Sequence, residues 1–226
     1  MKTDSIGLVK KFFDNTAQTY DKIVNLTTFG KDKYWKKEII RKIPKCSSIL
    51  DLACGTGILT FKIAEKFPDT KITGIDVTKS YLDVAKTKLK PFHKISFLLY
   101  DAEKLGLVTK FDCITSSYLP KYCTANILIG KCIEHLEPGG KIIIHDFTYP
   151  TNIVIRKLWD FYFAVLIALG KFMPNWKDVF ENLPKLIKST RWFEEYKETM
   201  EKHGLQVEFQ LLTMGTSAIL AGVNKI

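Results

Sequence analysis

The middle of the chain alternates short apolar runs with segments in which apolar residues recur every three or four positions. The apolar runs predict strands at 47–52, 71–77, 94–101, 111–117 and 141–147, the last of them after a Glu-Pro-Gly-Gly turn at 137–140. Helical spacing occupies the intervals at 58–67, 80–90 and 124–136. Strands that alternate with helices pair in parallel, so the pattern predicts an α/β fold with a doubly wound sheet.

Both ends of the chain depart from this alternation. Apolar residues at helical spacing between about residues 5 and 43 predict two amphipathic N-terminal helices. The members of this pattern are Ile6, Val9, Phe12, Phe13, Trp35, Ile39, Ile40 and Ile43. After Pro150 the sequence predicts a long aromatic-rich helical region over 153–190, and then a helix that ends at His203.

The last two apolar runs, 205–213 and 216–225, are predicted strands separated by a turn at Met214 and Gly215. The turn is too short for a crossover helix, so these strands are expected to pair as a hairpin and give the sheet an antiparallel edge. The length of 226 residues fits one domain. We divide it into N-terminal helices (1–45), a ligand-binding core (46–150), a helical cap (151–190) and a last helix with the hairpin (191–226).

Composition and net charge exclude few classes of protein. The net charge of +10 favours polyanions such as RNA or an anionic membrane surface, but the lysines are spread along the chain as on solvated helices. The N-terminus lacks the apolar core of a signal peptide, which indicates a cytoplasmic protein. Five cysteines without a CxxC pair argue against a disulfide framework or a metal site and are expected to be mostly buried: Cys46, Cys54, Cys113, Cys123 and Cys132.

The first strand runs into a glycine turn, Asp51-Leu-Ala-Cys-Gly55-Thr-Gly57. Glycines permit a sharp turn and let the main chain approach a ligand closely, at the carboxyl edge where doubly wound sheets bind nucleotides. An NAD fingerprint would need a third glycine where this chain has Thr60. A phosphate-binding Walker loop is excluded because no Gly-Lys-Ser/Thr follows.

Two further acidic residues follow the next strands. Asp76 ends the second strand, where a carboxylate accepts hydrogen bonds from both ribose hydroxyls. Asp101 and Ala102 end the third, where a polar side chain and a main-chain amide can read an adenine edge. An acidic residue, a glycine loop and two further acidic residues in this order are typical of S-adenosylmethionine-dependent methyltransferases with a Rossmann-like fold.

Segments outside the loop resemble one methyltransferase family over nearly the whole chain. Residues 12–37 carry Tyr-Asp, Thr-Phe-Gly and Trp at the spacing found in the ubiquinone/menaquinone biosynthesis C-methyltransferase family. The segments 111–117, 136–150 and 211–225 resemble later motifs of that family. The resemblance implies methyl transfer from S-adenosylmethionine, with S-adenosylhomocysteine as product, to the ring carbon of a prenylated quinol.

The resemblance also implies which residues contact the cofactor. It places contacts at Thr60, Asp76, Asp101, Ala102 and Ser117. The loop and the residue after Asp76 complete the predicted set with Asp51, Ala53, Gly55, Gly57 and Val77.

The chain departs from the family mainly in the half that the family uses for its acceptor. Val24 stands where the family has Asn, and Asp32 where it has His. The segment 119–122 replaces the family's Gly-Leu-Arg-Asn, and a tyrosine-rich stretch before the last long helix is kept only as Phe180, Leu183 and Ile187. The cofactor is therefore better specified by sequence than the acceptor.

A quinol ring carbon becomes a good nucleophile once a neighbouring hydroxyl loses its proton, so a base is expected near the sulfonium. Among Tyr118, Lys121, His145 and Asp146, which follow the fourth strand or end the fifth, we predict Asp146 and Lys121 as catalytic, with Tyr118 third. Asp146 matches an acidic position of the family, and Lys121 stands where the family has Arg. No metal ligand is predicted.

The aromatic run at 158–173 is too short and interrupted for a membrane span. It predicts either a packed helix or a cap that receives a prenyl tail and rests transiently on a membrane surface. The sequence leaves open homodimer formation. It also leaves open a methyltransferase with another O or N acceptor, an RNA or DNA methyltransferase, although the Asn/Asp-Pro-Pro-Tyr/Phe motif is absent after the fourth strand, and a non-catalytic cofactor-binding subunit.

Overall fold

The computed structural model describes residues 7, 9, 12, 13, 15–90 and 92–225. Within them, helices α1 to α8 cover Tyr20–Thr27, Lys31–Lys42, Ile58–Lys66, Lys79–Thr87, Ala125–Glu134, Ile153–Gly170, Pro174–Ser189 and Trp192–Lys202. Strands β1 to β7 cover Ser48–Leu52, Lys71–Asp76, Ile95–Leu99, Phe111–Ser117, Leu136–Phe147, Gln206–Leu212 and Ser217–Val223. Short 3₁₀ turns lie at Ala102–Lys104, Pro120–Tyr122 and Thr213–Gly215.

The strands form one sheet in the order β3-β2-β1-β4-β5-β7-β6. Neighbours from β3 to β5 pair in parallel, whereas β7 is antiparallel to both β5 and β6. The register pairs Leu52 with Ser116 and Ser117 with His145, so the carboxyl ends of β1, β4 and β5 lie side by side. The predicted α/β doubly wound sheet with a C-terminal hairpin is confirmed.

The three largest of the four apolar clusters among the described residues hold the layers together. One covers a sheet face with α5 and α8 and contains Leu128 and Trp192. Another covers the opposite face with α2 and α3 and contains Ile39 and Ile63. The third cluster joins α6 and α7 to α1 and to Tyr122, and it brings the helical cap over the carboxyl edge of the sheet. Four of the five cysteines are buried, as expected, and Cys46 is half-buried.

Some predicted boundaries are wrong. β5 begins at Leu136, earlier than the predicted start at 141. Residues 137–140 form a bulge between the pairs Phe111–Leu136 and Cys113–Lys141, and Gly139 there has a φ of 76°, so the predicted turn lies inside the strand. The helical region predicted at 153–190 is present and consists of two helices, because α6 ends at Gly170 and α7 begins at Pro174.

At the N-terminus, α2 carries the predicted face of Trp35 and Ile39. The first predicted helix lies largely outside the described residues, Ile6 included, although Val9, Phe12 and Phe13 are helical. The sequence pattern did not separate a further helix, α1, which precedes α2. No helix in the described part of the chain combines the length and apolarity needed to cross a membrane.

Candidate active site

The turn after β1 is built on left-handed backbone. Ala53, Gly55 and Gly57 have φ angles of 51°, 57° and 84°. A Cβ atom added to Gly57 would lie 2.4 Å from the Phe61 ring, so a side chain at this position is excluded by both conformation and space. The turn then runs into α3, whose first main-chain N–H groups have no helical partners and favour a polar or anionic ligand group.

Asp76 ties this turn to the end of β2. Its Oδ2 accepts the Gly55 N–H at 2.8 Å, and its Oδ1 accepts the Thr78 N–H at 2.8 Å. Burial raises the pKa of the Asp76 carboxyl against the effect of these hydrogen bonds. The carboxylate thus fixes the loop and at the same time lines the cavity in front of it.

Asp51 lies beneath the loop and is 1% exposed. Its carboxylate accepts hydrogen bonds from the hydroxyls of Thr60 at 2.6 Å and Thr115 at 2.9 Å. Burial raises the pKa of Asp51 to about 6 despite both bonds. Thr60, a predicted cofactor contact, is fully buried with its hydroxyl on Asp51, so the structure places it behind the loop.

A cavity of about 480 Å³ opens in front of the loop. It brings together seven of the predicted cofactor residues: Ala53, Gly55, Asp76, Val77, Asp101, Ala102 and Ser117. The Asp101 carboxylate accepts the Glu103 N–H at 3.0 Å and thereby caps the turn that carries Ala102. A main-chain cradle that a Cβ would fill, followed by carboxylates at the ends of β2 and β3, fits the amino acid, ribose and adenine parts of S-adenosylmethionine.

The same cavity continues under the helical cap, where its walls become apolar and aromatic. Side chains from α6 and α7 line this end: Leu158, Trp159, Tyr162, Phe163, Leu166, Trp176, Val179, Phe180 and Leu183. The family position Ile187 is buried in the same cluster. One cavity therefore joins a polar loop end to an apolar cap end.

Lys121 and Asp146 form an ion pair between the sheet and the cap. Lys121 Nζ lies 2.8 Å from Asp146 Oδ1, and the two side chains are 2% and 0% exposed. Asp146 also accepts the main-chain N–H groups of Lys121 at 3.1 Å and Phe147 at 2.8 Å. Burial lowers the pKa of Lys121, which Asp146 opposes. Lys121 lines the cavity, and Asp146 lies behind it.

Tyr118, the third predicted catalytic residue, also lines the cavity. Its hydroxyl donates to Asp32 Oδ1 at 2.7 Å, and the same oxygen accepts Lys36 Nζ at 2.9 Å. Burial and the neighbouring Asp32 carboxylate raise the pKa of the Tyr118 phenol. This group adjoins the Lys121 pair, because Lys121 Nζ donates to the Tyr118 carbonyl at 2.6 Å.

A buried histidine continues the polar network beneath Ser117. Ser117 Oγ accepts Lys36 Nζ at 2.9 Å and bonds His145 Nδ1 at 2.8 Å, while His145 Nε2 bonds Ser217 Oγ at 2.6 Å. Burial lowers the pKa of His145 well below its usual value, so the ring is neutral. His145 therefore supports Ser117 and is itself fully buried.

Sequence reasoning missed Asp32 and Lys36 as parts of the site. Both lie on the buried face of α2 beside Trp35 and Ile39. The available signal was charge on an apolar face, because residues 32, 35, 36 and 39 share one side of a helix. Charged side chains are rarely fully buried unless they are paired, so an acidic and a basic residue on the apolar face of one helix indicate a buried ion pair.

Fold and site together define a Rossmann-like S-adenosylmethionine-dependent methyltransferase. The chain belongs to the ubiE/COQ5 methyltransferase family, whose profile matches residues 1–224. The Hahella chejuensis ubiquinone/menaquinone biosynthesis C-methyltransferase is 29% identical over 98% of this chain and 93% of its own length. A Staphylococcus aureus demethylmenaquinone methyltransferase is 27% identical over 96% and 93%.

Solved structures share the fold. Magnesium protoporphyrin IX methyltransferase from Synechocystis, with S-adenosylhomocysteine bound, has a TM-score of 0.66 at 15% identity and covers 98% of this chain and 100% of its own. The N-methyltransferase NodS from Bradyrhizobium japonicum, also with S-adenosylhomocysteine, has a TM-score of 0.60 at 15% identity, covering 98% and 99%. The predicted fold, family, enzyme class and cofactor are confirmed, while the roles of individual residues stay predictions.

Proposed function

We propose that the chain methylates a ring carbon of a prenylated quinol in the synthesis of a ubiquinone- or menaquinone-type quinone. The observation that carries this proposal is the single cavity that runs from the glycine loop to the aromatic cap. A polar, charged acceptor would leave the cap end unmatched, whereas a quinol ring with an isoprenoid tail presents apolar surface along its length. The two curated relatives, a quinone-biosynthesis C-methyltransferase and a demethylmenaquinone methyltransferase, support the same acceptor class.

The chain's own residues supply binding, orientation and exclusion of water. S-adenosylmethionine, when bound, supplies a methyl group already activated on a sulfonium. The predicted contacts Asp76 and Asp101 would hold its ribose and adenine, and the loop from Ala53 to Gly57 would receive the amino acid end. Apolar walls strengthen every electrostatic interaction in the site and favour a step in which phenolate and sulfonium charges cancel.

Residues 151–190 act in this proposal as a substrate cap on a core of residues 46–150. The apolar cluster that joins α6 and α7 to α1 and Tyr122 closes the cavity from above. A tail held by many aliphatic and aromatic contacts is bound through its apolar area, at about 25 cal/mol per Å². The cap would therefore select tail-bearing acceptors over free rings.

The test is incubation of the purified protein with methyl-labelled cofactor and separate acceptors. A demethylated prenylated naphthoquinol or benzoquinol should gain one label, identified by product mass. Label in a small O or N acceptor instead would move the chain to another small-molecule methyltransferase, and label in added RNA would overturn the quinol proposal. Cofactor binding without turnover on any acceptor would indicate a non-catalytic subunit.

We further propose that the cap rests on an anionic membrane surface. The outer side of α6 carries a stripe of exposed apolar residues at helical spacing: Val154, Leu158, Phe161, Val165 and Leu169, continued by Phe172. Exposed Lys157 and Lys171 flank this stripe, and the chain's net charge of +10 complements anionic lipid. Leu158 also lines the cavity, so the stripe is continuous with the route into the site.

Flotation with lipid vesicles tests whether the exposed apolar stripe of α6 binds a membrane surface. The protein should float with vesicles that contain phosphatidylglycerol at low salt, and a Phe161→Ser/Phe172→Ser variant should lose most of this binding because about 1.5–3 kcal/mol accompanies each inserted side chain. Ile127→Ser, at an exposed apolar position of α5, is the matched control and should float like the unaltered protein. Equal flotation of all three proteins would count against the stripe as the docking face.

A further inference from the structure

The Tyr118 hydroxyl connects the cavity to a carboxylate that the cavity itself does not reach. Tyr118 follows β4 and lines the cavity, and its hydroxyl donates to Asp32 Oδ1 at 2.7 Å. Asp32 lies on α2 and is only 3% exposed. Tyr118 therefore lies between the cavity and the carboxylate, and its phenol oxygen is able both to accept and to donate a proton.

Lys36 keeps this carboxylate charged. Its Nζ lies 2.9 Å from Asp32 Oδ1 and 4.3 Å from the centre of the Tyr118 ring. Although burial acts to raise the pKa of Asp32, the Lys36 ammonium and the hydrogen bond from Tyr118 hold it below its usual value. Asp32 is consequently ionised at neutral pH and can act only as an acceptor.

The Tyr118 ring is held from two further directions. Its backbone has φ of 73°, a left-handed conformation that non-glycine residues rarely adopt unless their surroundings impose it. The ring stacks on Phe147 with centroids 4.9 Å apart and planes 16° apart. Such strain is often found where a side chain must be aimed at a ligand.

Asp146, one of the predicted catalytic residues, has no comparable path for a proton from the cavity. Its neighbour on the cavity side is Lys121, whose ammonium has donors only and no lone pair to receive a proton. The main-chain N–H groups of Lys121 and Phe147 occupy the Asp146 carboxylate further. Asp32 differs because the side chain in front of it is a hydroxyl.

We propose that Asp32 is a positioning residue for methyl transfer, which aims the Tyr118 hydroxyl at the acceptor and receives the proton that the acceptor's ring hydroxyl loses through Tyr118. This inference rests on the proposed quinol acceptor. Asp32 is also one of the positions at which the chain departs from the family pattern, which has His there. The departure places a carboxylate behind the phenol.

Protons and electrons balance in the proposed methyl transfer. The acceptor O–H bond breaks and its proton forms a new bond to the Tyr118 oxygen, while Tyr118's own proton passes to Asp32 Oδ1. The electron pair left on the acceptor oxygen moves into the ring, whose carbon bonds the methyl group, and the cofactor sulfur keeps the electrons of its broken bond. Loss of the ring C–H proton to water restores the aromatic ring, and Asp32 returns its proton to the acceptor oxygen through Tyr118.

Kinetics of three variants test the relay with a demethylated prenylated quinol. Asp32→Asn and Tyr118→Phe should each lower kcat by about 100-fold or more, the usual contribution of a positioned base. The double variant should be no slower than Tyr118→Phe alone, because residues of one relay act as a unit. Asp83→Asn removes the carboxylate from an exposed i,i+4 Lys–Asp pair on α4 and should keep full activity as the control.

Two readouts separate proton transfer from a structural effect. Calorimetric titration with S-adenosylhomocysteine should give an affinity within about threefold of the unaltered protein for Tyr118→Phe, because this variant leaves the Asp32–Lys36 pair in place. A quinol whose ring hydroxyl is acidic enough to be ionised at the assay pH should restore the rate of Asp32→Asn. Full kcat in Asp32→Asn, additive losses in the double variant, or absence of rescue by the acidic quinol would each overturn the relay. Failure of the unaltered protein to methylate any quinol would instead remove the proposed function.

Discussion

The two ends of the cavity are built by opposite means. At the loop end, three left-handed residues and the hydrogen bonds of Asp76 fix main-chain atoms in one arrangement. At the cap end, aliphatic and aromatic side chains of α6 and α7 enclose space mainly by apolar packing, and hydrogen bonds from Tyr162 to the Thr27 carbonyl and from Trp176 to the Thr19 hydroxyl join them to the N-terminal segment. A hydrogen-bonded main chain tolerates almost no change, whereas apolar packing tolerates changes of shape at modest cost. The loop end is therefore expected to tolerate substitution less well than the cap end.

The largest effect is expected where the two ends meet, at the buried pair of Lys121 and Asp146. Lys121→Met leaves a charged carboxylate without its partner and should lower the free energy of unfolding by about 3–5 kcal/mol. Lys121→Met/Asp146→Leu removes both charges and should recover most of that loss. Chemical denaturation measures both variants.

Breaking the exposed pair of Lys79 and Asp83 by Lys79→Met is the control and should cost less than about 1 kcal/mol. A stable double variant that keeps its turnover would show that the pair serves the fold. A stable double variant without turnover would support the predicted catalytic roles. Equal stability of Lys121→Met and the unaltered protein would contradict the buried pair altogether.

At the loop end, a substitution is expected to change cofactor binding, with an effect smaller than the loss of stability at the buried pair. Gly57→Val places a β-branched residue at a φ of 84° and a Cβ 2.4 Å from the Phe61 ring. The resulting strain of about 3 kcal/mol should weaken S-adenosylhomocysteine binding by about 100-fold in a calorimetric titration.

Gly139→Val is matched to this variant, because Gly139 has a φ of 76° and open space around its Cβ position. The Gly139→Val variant has the same kind of backbone strain but no clash with a ring, and residue 139 lies outside the loop. This variant should therefore bind S-adenosylhomocysteine with unaltered affinity. Unaltered binding by Gly57→Val would show that the loop does not need its glycine.

The smallest effect is expected at the cap end. Leu166→Ala removes apolar surface from the cavity wall and should lower kcat/KM for a prenylated quinol by about tenfold, the equivalent of about 1.4 kcal/mol. The same variant should treat a tailless quinol and the cofactor as the unaltered protein does. Leu211→Ala, at an exposed position of β6, is the control. An equal loss for tailed and tailless acceptors would contradict tail binding by the cap.

The same contrast decides what the sequence could predict. The loop end is local in sequence, since Asp51, Gly55 and Gly57 stand within seven residues and Asp76 ends the next strand. Strands and helices could likewise be predicted from the sequence, because the hydrophobic periods of 2 and 3.6 residues are local properties. The start of β5 was missed because Leu136 pairs with Phe111 ahead of the glycine turn, and no local signal in the sequence predicts that pairing.

The buried charges beside Tyr118 depend on contacts that are distant in sequence. Asp32 meets Tyr118 across 86 positions, and no spacing rule connects α2 to the end of β4. The apolar face of α2 predicts a helix but treats Asp32 and Lys36 as exceptions to the pattern. Only the packing of α2 against the sheet shows that these charges are paired and turned inward.

The most direct test of the account is the position of the methyl label in the product. A demethylated prenylated quinol and ¹³C-methyl cofactor are incubated with the protein, and the product is examined by ¹³C NMR and mass spectrometry. The account predicts one label, with the chemical shift of a methyl group on an aromatic ring carbon. A label with the shift of a methoxy carbon, or one recovered in RNA or in no acceptor at all, would contradict it.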